Sequence, residues 1–332
     1  MGEIRIKSEK TAVYHVFARV VHKRRLLDEV EREVWVRALA RAARFSGVEV
    51  ITYCCLGNHF HILVRIDPAA RDCSDAELVE RFAALYGTSR AAWCGLDAAG
   101  LAHALGQGET PEARRLRGRL RARMGDVSEF MRTLRQRYTK WYNRTHQTAG
   151  TLWSERFGSV LVQDIPWLVA LVAAYVDLNP VRAGLSALPG EYRWSGYTAA
   201  LAGNDELRHS LAACFPRETD SDASLACYRR LMLGKGAAAK QDGTGARVDP
   251  EALLEVVQTG GELPPHELLR LKLRFLTQGR ALGTDAWMRQ VTAAGRTDRV
   301  PLSTAPLEVL DTAEIAVGCR KYRSGGVCMP DA

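Results

Sequence analysis

Two histidines two residues apart, His59 and His61, stand in the apolar run Leu56-Gly57-Asn58-His59-Phe60-His61-Ile62-Leu63-Val64. In a β-strand side chains alternate between faces, so the two imidazoles share one face while Phe60, Ile62 and Val64 take the other. Paired imidazoles can hold a divalent cation, and apolar neighbours make the strand a buried one, on which polar side chains need a reason. Farther along, Tyr175 and Asn179 stand four apart in a helical pattern, hence on one helix face, with Asn179 at the C-terminal edge because Pro180 follows. A phenol hydroxyl is a nucleophile once its proton, held to about pH 10 when free, is drawn off by a metal or a nearby cation. Tyr138 and Tyr142, also four apart and in basic surroundings, rival Tyr175 on residue type alone.

The spacing excludes some chemistry. A histidine-triad hydrolase needs a third histidine two residues on, where this chain has Leu63, and no helical pair of histidines four apart brackets a glutamate. The eight cysteines show no Cys-x-x-Cys spacing. In an unbroken strand only Cys55 would share the histidine face, about 13 Å from His59, too far for one tetrahedral shell, so structural zinc is not expected.

The elements that must position these groups follow from periodicity. Thr11–Val21 reads as a strand, Leu26–Phe45 as an amphipathic helix stopped by Gly47, and Val48–Cys55 as a strand joined to the histidine strand through Gly57-Asn58. Asp75–Tyr86 is a helix, Cys94–Glu109 is glycine-rich and weakly periodic, and six arginines crowd into residues 114–123. Val127–His146 is a helix whose aromatics alternate with Arg132, Arg135, Arg137, Lys140 and Arg144, a mixture that suits phosphates and bases. Phe157–Gln163 is a strand, and Asp164 with Pro166 opens the helix Trp167–Leu178 that carries Tyr175. The expected division is a core over residues 1–200 with a basic helical insertion at 68–126, a linker over 201–248, and a small helical module over 249–332. In that module Asp249–Gln258, Pro264–Leu276 and Thr284–Val291 are expected as helices, a set that could include a helix-turn-helix, with a frayed tail from Arg296.

Across its 332 residues the chain has 46 lysines and arginines against 38 acidic residues, a net charge of +8 that favours a polyanionic partner. With no secretory segment and no apolar run of the ~18 residues needed to cross a bilayer, a cytoplasmic location without membrane contact and with free thiols is expected.

Four blocks then carry a resemblance: the histidine run above, Gly150-Thr151-Leu152-Trp153-Ser154-Glu155-Arg156-Phe157, Ala174-Tyr175-Val176-Asp177-Leu178-Asn179-Pro180-Val181-Arg182-Ala183-Gly184, and Tyr192-Arg193-Trp194-Ser195-Gly196-Tyr197. In this order, over residues 11 to 200, they resemble the signatures of the REP-associated tyrosine transposase branch of the single-tyrosine HUH transposases. The chain departs from that pattern at Gly57, commonly proline, and at Gly158, where the family commonly has lysine.

The resemblance implies an α+β fold, a ferredoxin-like antiparallel sheet with helices packed on one face forming the HUH endonuclease core. It implies His59, His61 and Asn179 as ligands of Mg²⁺ or Mn²⁺ and Tyr175 as the nucleophile. The implied activity is metal-dependent cleavage and strand transfer of single-stranded or hairpin DNA through a 5′-phosphotyrosine intermediate. Arg132, Arg135, Lys140, Arg144, Trp153, Arg156 and Arg182 would form the DNA-binding set. The protein would be nucleoid-associated through DNA, and a homodimer is compatible with this reading. The alternative is a domesticated or inactive relative that binds structured nucleic acid without cutting it.

Overall fold

The histidine strand is β3 (His59–Ile66), and its two neighbours fix what it can do: β2 (Val48–Cys55) on one side and β1 (Ala12–Arg19) on the other, both antiparallel to it. β4 (Gly158–Val162) pairs antiparallel with the far side of β1, giving the order β2-β3-β1-β4. The computed structural model of the chain describes residues 6–215, 220–233, 279–294, 302–303 and 315–319. Within them the architecture is mixed α+β.

Helix α1 (Glu29–Ser46) joins β1 to β2. Asp28 caps its first turn and Gly47, at φ +62°, ends it in the left-handed region that favours glycine. Trp35 of α1 and Trp153 both pack on Phe60, and Tyr138 of α5 (Val127–Thr145) donates to the Glu31 carbonyl. The α1–α5 layer therefore covers the Phe60 face of the sheet. The other face, with the histidines, is covered by α6 (Pro166–Asp177), in which every residue from Leu168 onward is buried. A helix apolar all round must be enclosed on all sides. Asp164, expected as its N-cap, instead makes an ion pair with Arg65 at 2.9 Å, and Ile165 takes the cap position.

Because β2 and β3 form a hairpin, the faces are set by pairing and not by a continuous residue count. Cys54, and not Cys55, stands opposite His61. Both thiols are wholly buried and pushed up by desolvation.

Between β3 and α5 the insertion folds as three helices, α2 (Asp75–Tyr86), α3 (Ala98–Gly106) and α4 (Pro111–Arg121), around a second core of Phe45, Leu78, Phe82, Leu101, Leu116 and Leu120. Part of the arginine run is structural: Arg117 bonds Asp75 and Glu109, and Arg121 donates to the Cys73 carbonyl.

After α6 come α7 (Asn179–Arg182), α8 (Gly196–Leu201), α9 (Asp205–Ala212) and α10 (Ser221–Leu233). Asp205–Ala212 and Ser221–Leu233, expected within a linker, are helices packed into the main core, with Leu207, Leu211, Leu225 and Tyr228 buried there. The small and polar residues around them masked a periodicity that only a few large side chains carry. Gly196 shows how tightly this layer is set: a Cβ there would lie 2.3 Å from Thr52 Oγ1 and 2.8 Å from the Tyr53 amide nitrogen. Gly196→Ala is expected to cost about 2–3 kcal/mol in urea unfolding by forcing α8 off β2; an unchanged midpoint would contradict that packing.

The C-terminal part is not purely helical. β5 (Gly279–Thr284) runs parallel to β4 and extends the sheet, followed by α11 (Asp285–Ala294), then β6 (Leu302–Ser303) and β7 (Ile315–Cys319), for an overall order β2-β3-β1-β4-β5-β7-β6. Short, glycine-containing strands such as Gly279–Thr284 lack the alternation that announces a strand. α11 matches the expected third helix of the module, whereas the first two fall outside the described residues. Among the described residues no helix is long and apolar enough to cross a membrane.

Candidate active site

Register places Arg19 opposite His59 and Phe17 opposite His61, with His15 two residues farther along the same face of β1. His15 is wholly buried, and its Nε2 lies 3.0 Å from His61 Nδ1, the rings stacked at 5.1 Å. Sequence reasoning missed it; the signal was the alternation of Val13 to Ala18, in which a histidine interrupts buried residues. One of the two rings donates in this contact, and the arrangement that frees His61 Nε2 has His61 Nδ1–H donating to His15 Nε2.

His59 is fixed from the other end. Its Nδ1 donates to Asn58 Oδ1 at 2.6 Å, while the Asn58 amide nitrogen donates to the Lys23 carbonyl at 3.0 Å, which sets the orientation of that amide. The Lys23 carbonyl is offered by a turn in which His22 and Lys23 both adopt positive φ, 55° and 54°. Two consecutive non-glycine residues there carry backbone strain, the sort that gathers at working sites. Asn58, read from sequence as a turn former, is thus what holds the tautomer of His59.

Burial lowers His59 to about 4, aided by the cation of Arg19, and pushes His61 well below the usual histidine range, aided by His15, His59, Arg182 and Arg19. Both imidazoles are neutral at pH 7, the form in which histidine ligates a metal. Their rings meet edge to face at 5.2 Å.

Tyr175 comes to this pair from α6. Its ring stands edge-on to His15 at 5.8 Å and to His61 at 6.0 Å, and it is 6% exposed. Above it lies Arg182, its guanidinium 4.7 Å from the ring centre, with Nη1 buried and without a hydrogen-bond partner. Tyr138 and Tyr142 belong to the α1–α5 layer on the opposite face: Tyr138 is held by Glu31, with its hydroxyl pushed up by desolvation, and Tyr142 stacks on His146. Neither competes for the histidines.

Asn179 has a first duty in the backbone. Pro180 has no N–H to offer the Val176 carbonyl four residues back, and Asn179 Nδ2 donates to that oxygen at 3.2 Å and to the Tyr175 carbonyl at 2.8 Å. Its amide makes no hydrogen bond to either imidazole among the described residues. The donors left over are His59 Nε2, His61 Nε2 and Asn179 Oδ1, a nitrogen and oxygen set that fits a divalent ion such as Mg²⁺ or Mn²⁺. No group of three or more His, Cys, Asp or Glu among the described residues is arranged to hold a metal, so any such shell needs the asparagine or another donor beside the imidazoles.

The expected DNA-binding residues divide. Lys140, Arg144 and Arg156 are exposed, and Arg132 is exposed and paired with Glu129. Arg135 lies over the Trp153 ring and donates to the Glu155 carbonyl. Trp153 itself is a correction: 4% exposed, it packs on Phe60 and Tyr138 and donates to Thr139, so it has no face to offer a base.

No family model and no curated protein matches this chain. A solved structure of a REP-associated tyrosine transposase bound to a REP hairpin is similar at 14% identity, covering 61% of this chain and 87% of that one, with a TM-score of 0.38. A likeness of that size carries no functional argument.

Proposed function

We propose that the protein is a metal-dependent single-strand DNA endonuclease and strand transferase of the tyrosine transposase type, built on a ferredoxin-like core and acting on single-stranded or hairpin DNA. The observation that carries the reading is Tyr175 standing against His15 and His61 with Arg182 across its ring. The split β-α-β order of the four-stranded core supports it.

His59 Nε2, His61 Nε2 and Asn179 Oδ1 would hold Mg²⁺ or Mn²⁺, which when bound supplies Lewis-acid polarisation of a phosphate oxygen. Arg182 lies across the Tyr175 ring, and its unpaired Nη1 is ready for a phosphate oxygen. Tyr175 is nearly covered, so DNA entry requires the Arg182 side chain to move off its ring. The Tyr175 oxygen attacks the phosphorus in line as its proton passes to solvent, the phosphorus–O3′ bond breaks, and the 3′ oxygen leaves with a proton from solvent. The product is a 5′-phosphotyrosine and a free 3′-hydroxyl, and attack by a 3′-hydroxyl on the same linkage reverses the step and joins strands.

The test is to incubate labelled single-stranded hairpin oligonucleotides with the protein and Mg²⁺ or Mn²⁺ and to run a denaturing gel. A covalent protein–DNA adduct is expected, and none across a broad oligonucleotide panel would leave a binder of structured nucleic acid as the better description. His15 supports His61 in this scheme, and His15→Gln is expected to weaken Mn²⁺ affinity by about 10-fold or more in calorimetric titration. Affinity equal to wild type would remove His15 from any positioning role.

A further inference from the structure

Where the insertion meets α5 there is a cavity of about 460 Å³ whose lining includes Tyr86, Trp93, Arg119, Arg123, Glu129 and Arg132. Its volume falls within the range of pockets that take a small ligand. Its lining is unlike a core defect, because three arginines and two aromatic rings face one glutamate. None of these groups belongs to the histidine–tyrosine site.

The arginines are held in place. Arg119 of α4 lies over the Trp93 ring at 4.6 Å, which fixes the guanidinium plane while leaving its donors free, since Arg119 has no ion pair among the described residues. Arg123 sits on the Phe45 ring at 4.5 Å and donates to Tyr86 Oη and Thr133 Oγ1, both at 3.1 Å. Its Nε is buried with no partner. Tyr86 Oη also accepts from Trp93 Nε1 at 3.1 Å, so the aromatic side of the cavity is braced as well.

A track leads away from it. Arg132, Gln136, Lys140 and Arg144 recur every four residues on α5 and all are exposed, with successive members about 6 Å apart along the helix axis. Lys140 and Arg144 form no ion pairs among the described residues. A free small anion would need only the cavity, whereas a cavity continued by a row of cations suits a polymer of phosphates with planar bases.

We propose that this cavity is a nucleotide-binding subsite for single-stranded DNA, taking one phosphate on Arg119 and Arg123 and one base against Trp93, with the strand continuing along α5. The subsite deepens the DNA-processing reading and rests on it for the kind of polymer, but not for its own geometry.

The experiment uses the full chain in EDTA, so that cleavage does not enter, and a fluorescein-labelled single-stranded oligonucleotide followed by anisotropy against salt. Arg119→Glu is expected to weaken binding about 10-fold and to reduce the salt slope by about 0.7, the share of one phosphate contact. Arg114→Glu, the same charge change at an exposed position of α4 outside the cavity, is expected to stay within twofold of wild type. With 5-iododeoxyuridine in the oligonucleotide, photocrosslinked peptides should contain Trp93. The proposal is overturned if the two charge reversals act alike with crosslinks confined elsewhere, or if polyglutamate competes as well as DNA does. An adduct on Tyr175 with no effect of Arg119→Glu would sink the subsite alone. An Arg119 effect with crosslinks at the cavity but no adduct would sink the endonuclease reading alone.

Discussion

Tyr175→Phe is expected to abolish the covalent protein–DNA adduct, a loss on the order of 10³-fold or more, while leaving the fold and single-strand binding within twofold of wild type. The substitution removes one oxygen and keeps the ring that packs edge-on to His15 and His61. It therefore separates chemistry from architecture more cleanly than changes at the histidines, which are buried in the sheet. Quantifying adduct on a denaturing gel beside anisotropy on the same preparations checks it. An adduct of wild-type yield from the phenylalanine protein would transfer the nucleophile to another residue.

The largest expected effect on stability lies two residues farther on. Asp177 is wholly buried and accepts hydrogen bonds from Thr52 Oγ1 on β2, the Tyr197 amide on α8 and Tyr228 Oη on α10. One carboxyl group thus ties the helix that carries Tyr175 to three other elements. Asp177→Ala would strand all three donors in the interior and is expected to lower unfolding free energy by about 3–5 kcal/mol. Burial pushes this carboxyl up to about 7, against the opposing pull of the hydrogen bonds from Tyr228, Thr52 and Tyr197.

The pH dependence follows from where the proton sits. Between the unfolded value of about 3.9 and the folded value of about 7, the folded protein keeps a proton that the unfolded chain has lost. The Asp177 contribution is therefore fully present below about pH 4 and declines as pH rises through 7, by about 4 kcal/mol in all. Asp177→Asn should flatten that part of the pH–stability curve. Parallel curves for the two proteins between pH 4 and 8 would show that the carboxyl is charged at both ends.

Much of this arrangement was legible before any coordinates. β2 and α2 fall where periodicity put them, β1, β4 and α5 differ by a residue or two at their ends, and β3 begins three residues after the start of the apolar run, because each carries large apolar side chains at regular spacing. The meeting of His61 with Tyr175 was legible only through the ordered blocks, since the two are separated by more than a hundred residues and no local pattern speaks to contacts at that distance. What stayed hidden had a physical cause in each case. His15 takes its role from strand register, Cys54 displaced Cys55 because a hairpin reverses parity, and Trp153 stood in the DNA-binding set through the resemblance alone, whereas it packs on Phe60. Asn58 and Asn179 were read as a turn former and a ligand, yet each also orients its surroundings through the amide nitrogen.

Both margins of the four-stranded core are occupied, and this bears on how copies of the chain can assemble. On the β2 side the backbone of Trp194 and Ser195 pairs with Cys55 and Cys54, and Tyr192 Oη donates to the Cys55 carbonyl. On the other side β4, which would end the four-stranded core, is already matched by β5. An open strand edge is a template for a second chain, and one that is short or occupied is a poor one. A homodimer of this protein would then join through its helices and side chains instead of continuing one sheet into the next, and the same closure guards the folded chain against edge-to-edge aggregation.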